Sequence, residues 1–272
     1  MERIQCPGAL SLASVLLPGV LAGQESGSLI TDRPDQTEST AAVPAGSVQV
    51  ELGWAVVSEV SGGVETTGFS APSALLRIGA SDGVELRLEL PAWRSEAETA
   101  DGAGLNRDGL SDGGIGLKWE LGSGPVQAAL LGSLSVPVGD RRFSSERFDP
   151  SVLLLLSHDV TAGISLGTNL GLALTTEHVD RSGAAGGFRD RQMEAPYTFS
   201  IGFGLSERAG AFVESFGAIG VSDARRSTHS LDGGLTFLLS DAFQLDLSGG
   251  VGLNEAAEDW FFGTGVSFRL PG

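Results

Sequence analysis

Two regularities together constrain this chain more than anything else: an apolar–polar alternation and the uneven spacing of the breaks between its runs. From about residue 47 to the C-terminus, alternating runs are separated by breaks that go short, long, short, long. The stretch Gln244-Leu245-Asp246-Leu247-Ser248-Gly249-Gly250-Val251-Gly252-Leu253-Asn254 carries the pattern most plainly. Leu245, Leu247, Val251 and Leu253 share one parity, while Gln244, Asp246, Ser248 and Asn254 share the other. Successive strand side chains point to opposite faces, so the run is a ribbon with one apolar side and one polar side. A soluble β-sandwich alternates as well. The short–long rhythm is what a transmembrane barrel produces, with tight turns at one rim and long loops at the other.

On this pattern, strands are expected at 48–56, 74–80, 84–90, 115–121, 126–138, 152–156, 164–174, 197–205, 211–218, 229–239, 244–254 and 260–270. The stretch 152–156 is apolar on both faces and fits the rule least well. The long breaks are expected at 94–111, 139–149, 175–194 and 219–227. About twelve antiparallel strands result, an even number that returns both chain ends to one rim, as bacterial single-chain barrels require. Trp54, Trp119, Tyr197, Trp260 and Phe268 fall on the apolar parity and near strand ends. Interfacial aromatic girdles do the same, whereas a sandwich core would scatter them. The fold class expected is therefore all-β, a transmembrane antiparallel barrel of about 12 strands over residues 47–272, with a soluble sandwich as the alternative.

The 40 glycines among 272 residues recur singly within strands, where they ease tight curvature. A net charge of -17 leaves nothing to neutralise a row of phosphates and argues against nucleic acid. Residues 1–22 read as a secretory signal: Glu2-Arg3, the apolar run from Ala9 to Leu17, then small residues around Ala22. The single cysteine, Cys6, lies within it, so thiol chemistry is not expected of the mature chain. Residues 23–46 are polar and aperiodic and read as a periplasmic N-terminal segment ahead of the barrel.

On the polar parity, Arg77, Glu85, Arg87, Glu89, Lys118 and Glu120 sit on neighbouring staves, and Glu51, Asp232, Asp246 and Arg269 gather near the closure point. All ten are candidate lumen-lining residues. Facing an open lumen they would form a charged constriction that selects solute by potential, its small acidic excess leaning toward cations or neutral solutes. The competing reading is a cross-strand ion-pair ladder that neutralises itself and stiffens or plugs the barrel, and the interleaved signs favour it. No catalytic residue is assigned. His229 and Ser230 are adjacent and so project to opposite faces, which disfavours a lipid-cutting site. The three histidines lack metal-ligand spacing and no thiol accompanies them, so neither a metal site nor a cofactor is expected.

The segment Ile30-Thr31-Asp32-Arg33-Pro34-Asp35-Gln36-Thr37-Glu38-Ser39, followed by Val43-Pro44-Ala45-Gly46-Ser47-Val48-Gln49-Val50-Glu51, resembles the start of a family of outer-membrane transporters labelled with the meta-pathway of phenol degradation. Leu75-Leu76-Arg77-Ile78-Gly79, Asp82-Gly83-Val84-Glu85-Leu86-Arg87 and His229-Ser230-Leu231-Asp232-Gly233-Gly234 extend the resemblance. It covers nearly all of the chain after the signal. One departure is the ending Phe268-Arg269-Leu270-Pro271-Gly272, where barrels usually finish on an aromatic residue used in assembly. The resemblance implies a barrel of the bacterial outer membrane, partnered by its lipid, by the outer-membrane assembly machinery and by small solutes. The leading functional expectation is a passive channel for small, aromatic or otherwise apolar, solutes. A closed structural or adhesive barrel and a lipid-acting enzyme are the alternatives.

Overall fold

The computed structural model describes residues 27–100, 103–122, 124–179, 188–222 and 226–270. The expected signal segment and the last two residues of the chain lie outside the described residues. Fourteen strand segments form one antiparallel sheet: β1 (Val48–Ser61), β2 (Val64–Ser81), β3 (Val84–Leu90), β4 (Trp93–Ala100), β5 (Ala103–Leu110), β6 (Gly113–Gly122) and β7 (Gln127–Val136). The second half is β8 (Asp149–Thr161), β9 (Ile164–Val179), β10 (Phe188–Gly204), β11 (Ala209–Gly220), β12 (Thr228–Ser240), β13 (Phe243–Gly252) and β14 (Trp260–Leu270).

Fourteen segments make twelve staves. Ala74 pairs with Leu90 and Ala71 with Trp93, so β3 and β4 continue one line along β2, interrupted only at Pro91-Ala92. β5 and β6 form the next line in the same way, with Ser111-Asp112 as the interruption. Proline has no N–H to give a ladder, which accounts for the break at Pro91. The two lines hold together across it, since Ser111 N–H donates to the Ala92 carbonyl at 2.8 Å. β14 then pairs with β1 from Val48–Leu270 to Ser58–Trp260 and closes the cylinder.

The expected long break 94–111 is thus largely a strand hairpin, and 175–194 is largely the continuation of β9 and β10. Polar residues on both faces hid these extensions. A strand needs ~9–11 residues to cross a bilayer, and β2 at 18 residues projects well beyond that. The gap expected between the strands 48–56 and 74–80 is likewise mostly strand, closed by a tight turn with Gly62 and Gly63 both at positive φ (59° and 83°), as a two-residue hairpin turn of primed type requires.

Facing is the reverse of a soluble protein. Leu86, Leu88, Ile115 and Leu117 are 38–51% exposed, while their strand neighbours Glu85, Arg87 and Lys118 are 0–5% exposed. An apolar belt outside and charge within is stable only if the belt meets lipid. Trp119 and Trp260 stand exposed on that outer surface. The doubly apolar stretch in β8 also resolves: Leu153 and Leu155 turn inward and pack on Ala129 and Leu131 of β7, giving the otherwise polar interior one apolar strip.

Candidate functional site

The N-terminal segment is not outside the barrel: residues 27–46 run within it. Leu29 N–H donates to the Asp241 carbonyl in a tight turn, and the segment leaves at the same rim, where Gly46 N–H donates to the Gly79 carbonyl. Between these points it loops up into the lumen as a re-entrant plug. Exposed loops avoid such burial because their backbone groups go unpaired, but here wall side chains satisfy them. Glu51 accepts from Asp32 N–H at 3.2 Å, Glu85 from Val43 N–H at 2.9 Å and Glu214 from Gln36 N–H at 2.7 Å. Two lumenal glycines make the room. A Cβ on Gly53 would lie 2.2 Å from the Arg33 guanidinium, and one on Gly79 would lie 2.1 Å from the Pro44 carbonyl oxygen.

The plug's anchor is Asp32. Its carboxylate meets Arg87 at 2.6 Å, Lys118 at 3.0 Å and Arg77 at 3.1 Å. Arg77 in turn forks onto Glu85, with two contacts of 2.9 Å, and reaches Glu51 at 2.9 Å. Glu38 lies against Arg87 at 2.9 Å. Burial would raise the Asp32 carboxyl, but the Arg77, Lys118 and Arg87 charges outweigh it and hold the group well below its ordinary range. Glu38 goes the other way: burial, then the neighbouring Asp32 charge, push it up to about 8 against the pull of Arg87 and Lys118.

Eight of the ten expected lumenal residues are buried and inward: Glu51, Arg77, Glu85, Arg87, Lys118, Asp232, Asp246 and Arg269. Five of these form the cluster around Asp32, and Glu51 joins it from across β1 rather than standing with the closure group. Asp246 pairs with the plug's Arg33 at 3.2 Å, and Arg269 donates to the Gly27 carbonyl. Glu120 is exposed at the tight-turn rim, where it accepts from Ala42 N–H at 2.6 Å. Glu89 is exposed into the space above the plug. Asp232 is directly opposite Glu214, a residue that sequence reasoning passed over because β11 alternates poorly. The plug's Asp35 completes that group, its carboxyl pushed well above the ordinary range by burial and then by Glu214.

Above the plug, toward the long loops, two cavities of ≈ 450 and ≈ 530 Å³ share Glu38, Glu89, Ser111 and Asp112 as lining. Glu38, Glu89 and Arg94 form one side of this vestibule, and the inward Leu131 and Leu153 form the other. Asp112 is fastened to the loop after β7, accepting from Ser145 N–H at 2.7 Å and Gly139 N–H at 3.1 Å. His229 contacts Tyr197 Oη at 2.8 Å through Nδ1, while Ser230 is buried on the other face. Among the described residues, no group of three His, Cys, Asp or Glu is placed to hold a metal ion.

Comparison with known proteins agrees with this architecture. The family described as "Putative MetA-pathway of phenol degradation" matches residues 31–270. Among solved structures, the COG4313 outer membrane channel from Pseudomonas putida F1 superposes with a TM-score of 0.67 at 12% identity, over 89% of this chain and 100% of that one. The translocator domain of the autotransporter NalP from Neisseria meningitidis gives 0.53 at 11% identity, over 82% and 88%. The NanC porin gives 0.51 at 11%, over 82% and 100%. At these identities the likeness is one of fold, that of outer-membrane barrels. No curated protein matches the chain.

Proposed function

The chain belongs to the family of the MetA-pathway of phenol degradation, and from that premise we propose that it is a passive outer-membrane channel for small, partly apolar solutes, held shut by its own N-terminal segment. The observation that carries the reading is the vestibule, whose two cavities lie inside a closed barrel and rest on the plug. Each has the volume of a small-molecule site, on the order of 300–1,000 Å³. Its leucine side suits a hydrocarbon ring or chain, and its Glu89 and Arg94 side suits a hydroxyl or other polar head. The family's association with phenol degradation and the channel described from Pseudomonas putida support the same class of role. Passage would need no energy source: the plug is held by hydrogen bonds and ion pairs with no covalent link to the wall it rests on, so its displacement opens the lumen.

A closed structural barrel is the second reading, and the number of ion pairs fastening Asp32 favours it. An enzymatic role has less support, because His229 and Ser230 diverge. Planar-bilayer recording separates the first two. A channel should show rare openings in the wild type and frequent ones when plug contacts are weakened. Silence in both would leave the structural barrel standing. The outer-membrane assembly machinery remains the expected partner in biogenesis, with β14 and Phe268 as the terminal strand it would handle.

A further inference from the structure

The plug enters the lumen with three carboxyl groups, and the wall brings carboxylates as well as cations to meet them. Around Asp32 and Glu38 the wall supplies Arg87 from β3, Lys118 from β6, Arg77 from β2, Glu85 from β3 and Glu51 from β1. Three cations therefore face four carboxyl groups, and the cluster balances only when one carboxyl holds a proton. Glu38 is the one placed to hold it: its carboxyl hydrogen-bonds the Asp32 carboxylate and has one cation close by, Arg87 at 2.9 Å, whereas Asp32 meets three cations and Glu85 two, and its 25% exposure lets the proton exchange with the vestibule. Asn169 of β9 grips the Glu38 backbone, with Glu38 N–H 2.7 Å from the amide oxygen. On the far side, Asp35 faces Glu214 of β11 and Asp232 of β12, with Asp32 also near and the Ser200 hydroxyl of β10 at 3.5 Å. None of Asp35, Glu214 and Asp232 forms an ion pair among the described residues, and Arg33, the nearest plug cation in sequence, is engaged by Asp246 of β13. Like charges directly across a strand pair repel.

We propose that the plug is a proton-operated gate, seated while Glu38 and Asp35 carry protons and released toward the tight-turn rim as they ionise. The stimulus is the proton itself, and Glu38 meets it at the vestibule floor. For the sign, Glu38 ionises near 4.5 when the plug is free in water and at about 8 when seated. The seated state then holds the extra proton throughout that window, so seating weakens as pH rises from about 4.5 to 8. Each such proton changes the seated-to-released ratio by at most about tenfold per pH unit. Asp35 is shifted in the same direction and steepens the response. Asp32 is shifted oppositely and stays ionised across this range, so it anchors without sensing.

The inference rests on the channel reading above, so the test reads plug position and conductance separately. Thr40 is 8% exposed and its hydroxyl lies 2.8 Å from that of Ser157. In a full-length Cys6→Ser background, Thr40→Cys places a single thiol on the plug. Maleimide labelling in liposomes between pH 6 and 9, normalised to the unfolded chain at each pH, reports release, and heat-modifiable gel migration confirms a folded barrel. Labelling should climb with pH in the otherwise native chain, more shallowly in Glu38→Gln, and not at all in Glu38→Gln with Asp35→Asn. Flat labelling in the native background, or an unchanged slope in the double variant, overturns the gate. Labelling that climbs as expected without conductance at any pH supports plug release and overturns the channel reading alone.

Discussion

Replacing Asp32 by Asn isolates the charge that seats the plug. The amide retains an oxygen for the Ser39 N–H and hydroxyl, which the carboxylate accepts at 2.8 and 2.7 Å, so the local turn survives. What is lost is the negative charge shared by Arg87, Lys118 and Arg77. Removing one partner from a buried ion pair typically costs about 3–5 kcal/mol. Glu38 offsets part of this, because without Asp32 beside it the group can ionise and serve Arg87 at 2.9 Å. It serves Lys118 poorly, at 3.9 Å. A net loss of about 3 kcal/mol is expected, which at about 1.4 kcal/mol per decade weakens seating roughly a hundredfold. The released plug has residue 32 in water whether it is Asp or Asn, so the whole loss falls on the seated state. Bilayer recording should show open probability rising by up to that factor, and Thr40→Cys labelling should rise with it. Barrel staves are untouched, so heat-modifiable migration should not change. A variant that stays as quiet and as unlabelled as the wild type would refute the assignment of Asp32 as the anchor.

Three other perturbations address the wall and the exterior. Arg87→Glu reverses a charge between Asp32, Glu38 and Glu85 and should expel the plug. In a conducting barrel it should also move selectivity toward cations, most at 0.01 M salt, where the Debye length is ~30 Å; unchanged selectivity in an open variant would show that ions do not pass Arg87. Gly79→Ala would set a Cβ 2.1 Å from the Pro44 carbonyl oxygen, and overpacking of this kind costs about 1–3 kcal/mol. Protease should then reach the segment 27–46 sooner while the barrel keeps its gel migration. Leu247→Arg places a charge on the lipid-facing side of β13 and should cost about 2–4 kcal/mol in denaturant titrations if it lies near the bilayer midplane. Asp246→Asn, which keeps an oxygen for the Arg33 guanidinium and loses only the charge of that one pair, should cost less.

The barrel was legible because period-two alternation is a local property. Leu245, Leu247 and Val251 state their facing without reference to any other strand, and closure follows from the need to satisfy every strand edge in lipid. Legibility failed where the local rule has no purchase. The β4–β5 hairpin lies beyond the break at Pro91, in polar surroundings on both faces, so Glu96, Glu98 and Arg107 carry no parity signal and the stretch reads as loop. Arg107 pairs with Glu98 across it, and Arg142 reaches Glu98 at 3.2 Å, which is the kind of polar pairing that holds a strand hairpin in water.

The site divided along the same line. Inward parity found Arg77, Glu85, Arg87 and Lys118, but parity says only which way a residue points and nothing of what it meets. A wall ladder of alternating sign looked self-sufficient, yet Lys118 has both its carboxylate contacts on the plug, to Asp32 and Glu38. The plug itself has no periodicity, since an irregular segment that binds wall groups through its backbone N–H groups needs none. Its one sequence-level trace is negative: glycine on the inward parity at Gly53, Gly79 and Gly265, where a pore wall would carry side chains. Curvature explains glycine anywhere in a closing strand. Only glycines aligned on the inner face, opposite an aperiodic polar segment that carries Asp32, Arg33, Asp35 and Glu38, point to a chain lying against the wall. The charge balance makes the same point from the other side, because three buried cations with two buried wall carboxylates demand a third, and Asp32 supplies it.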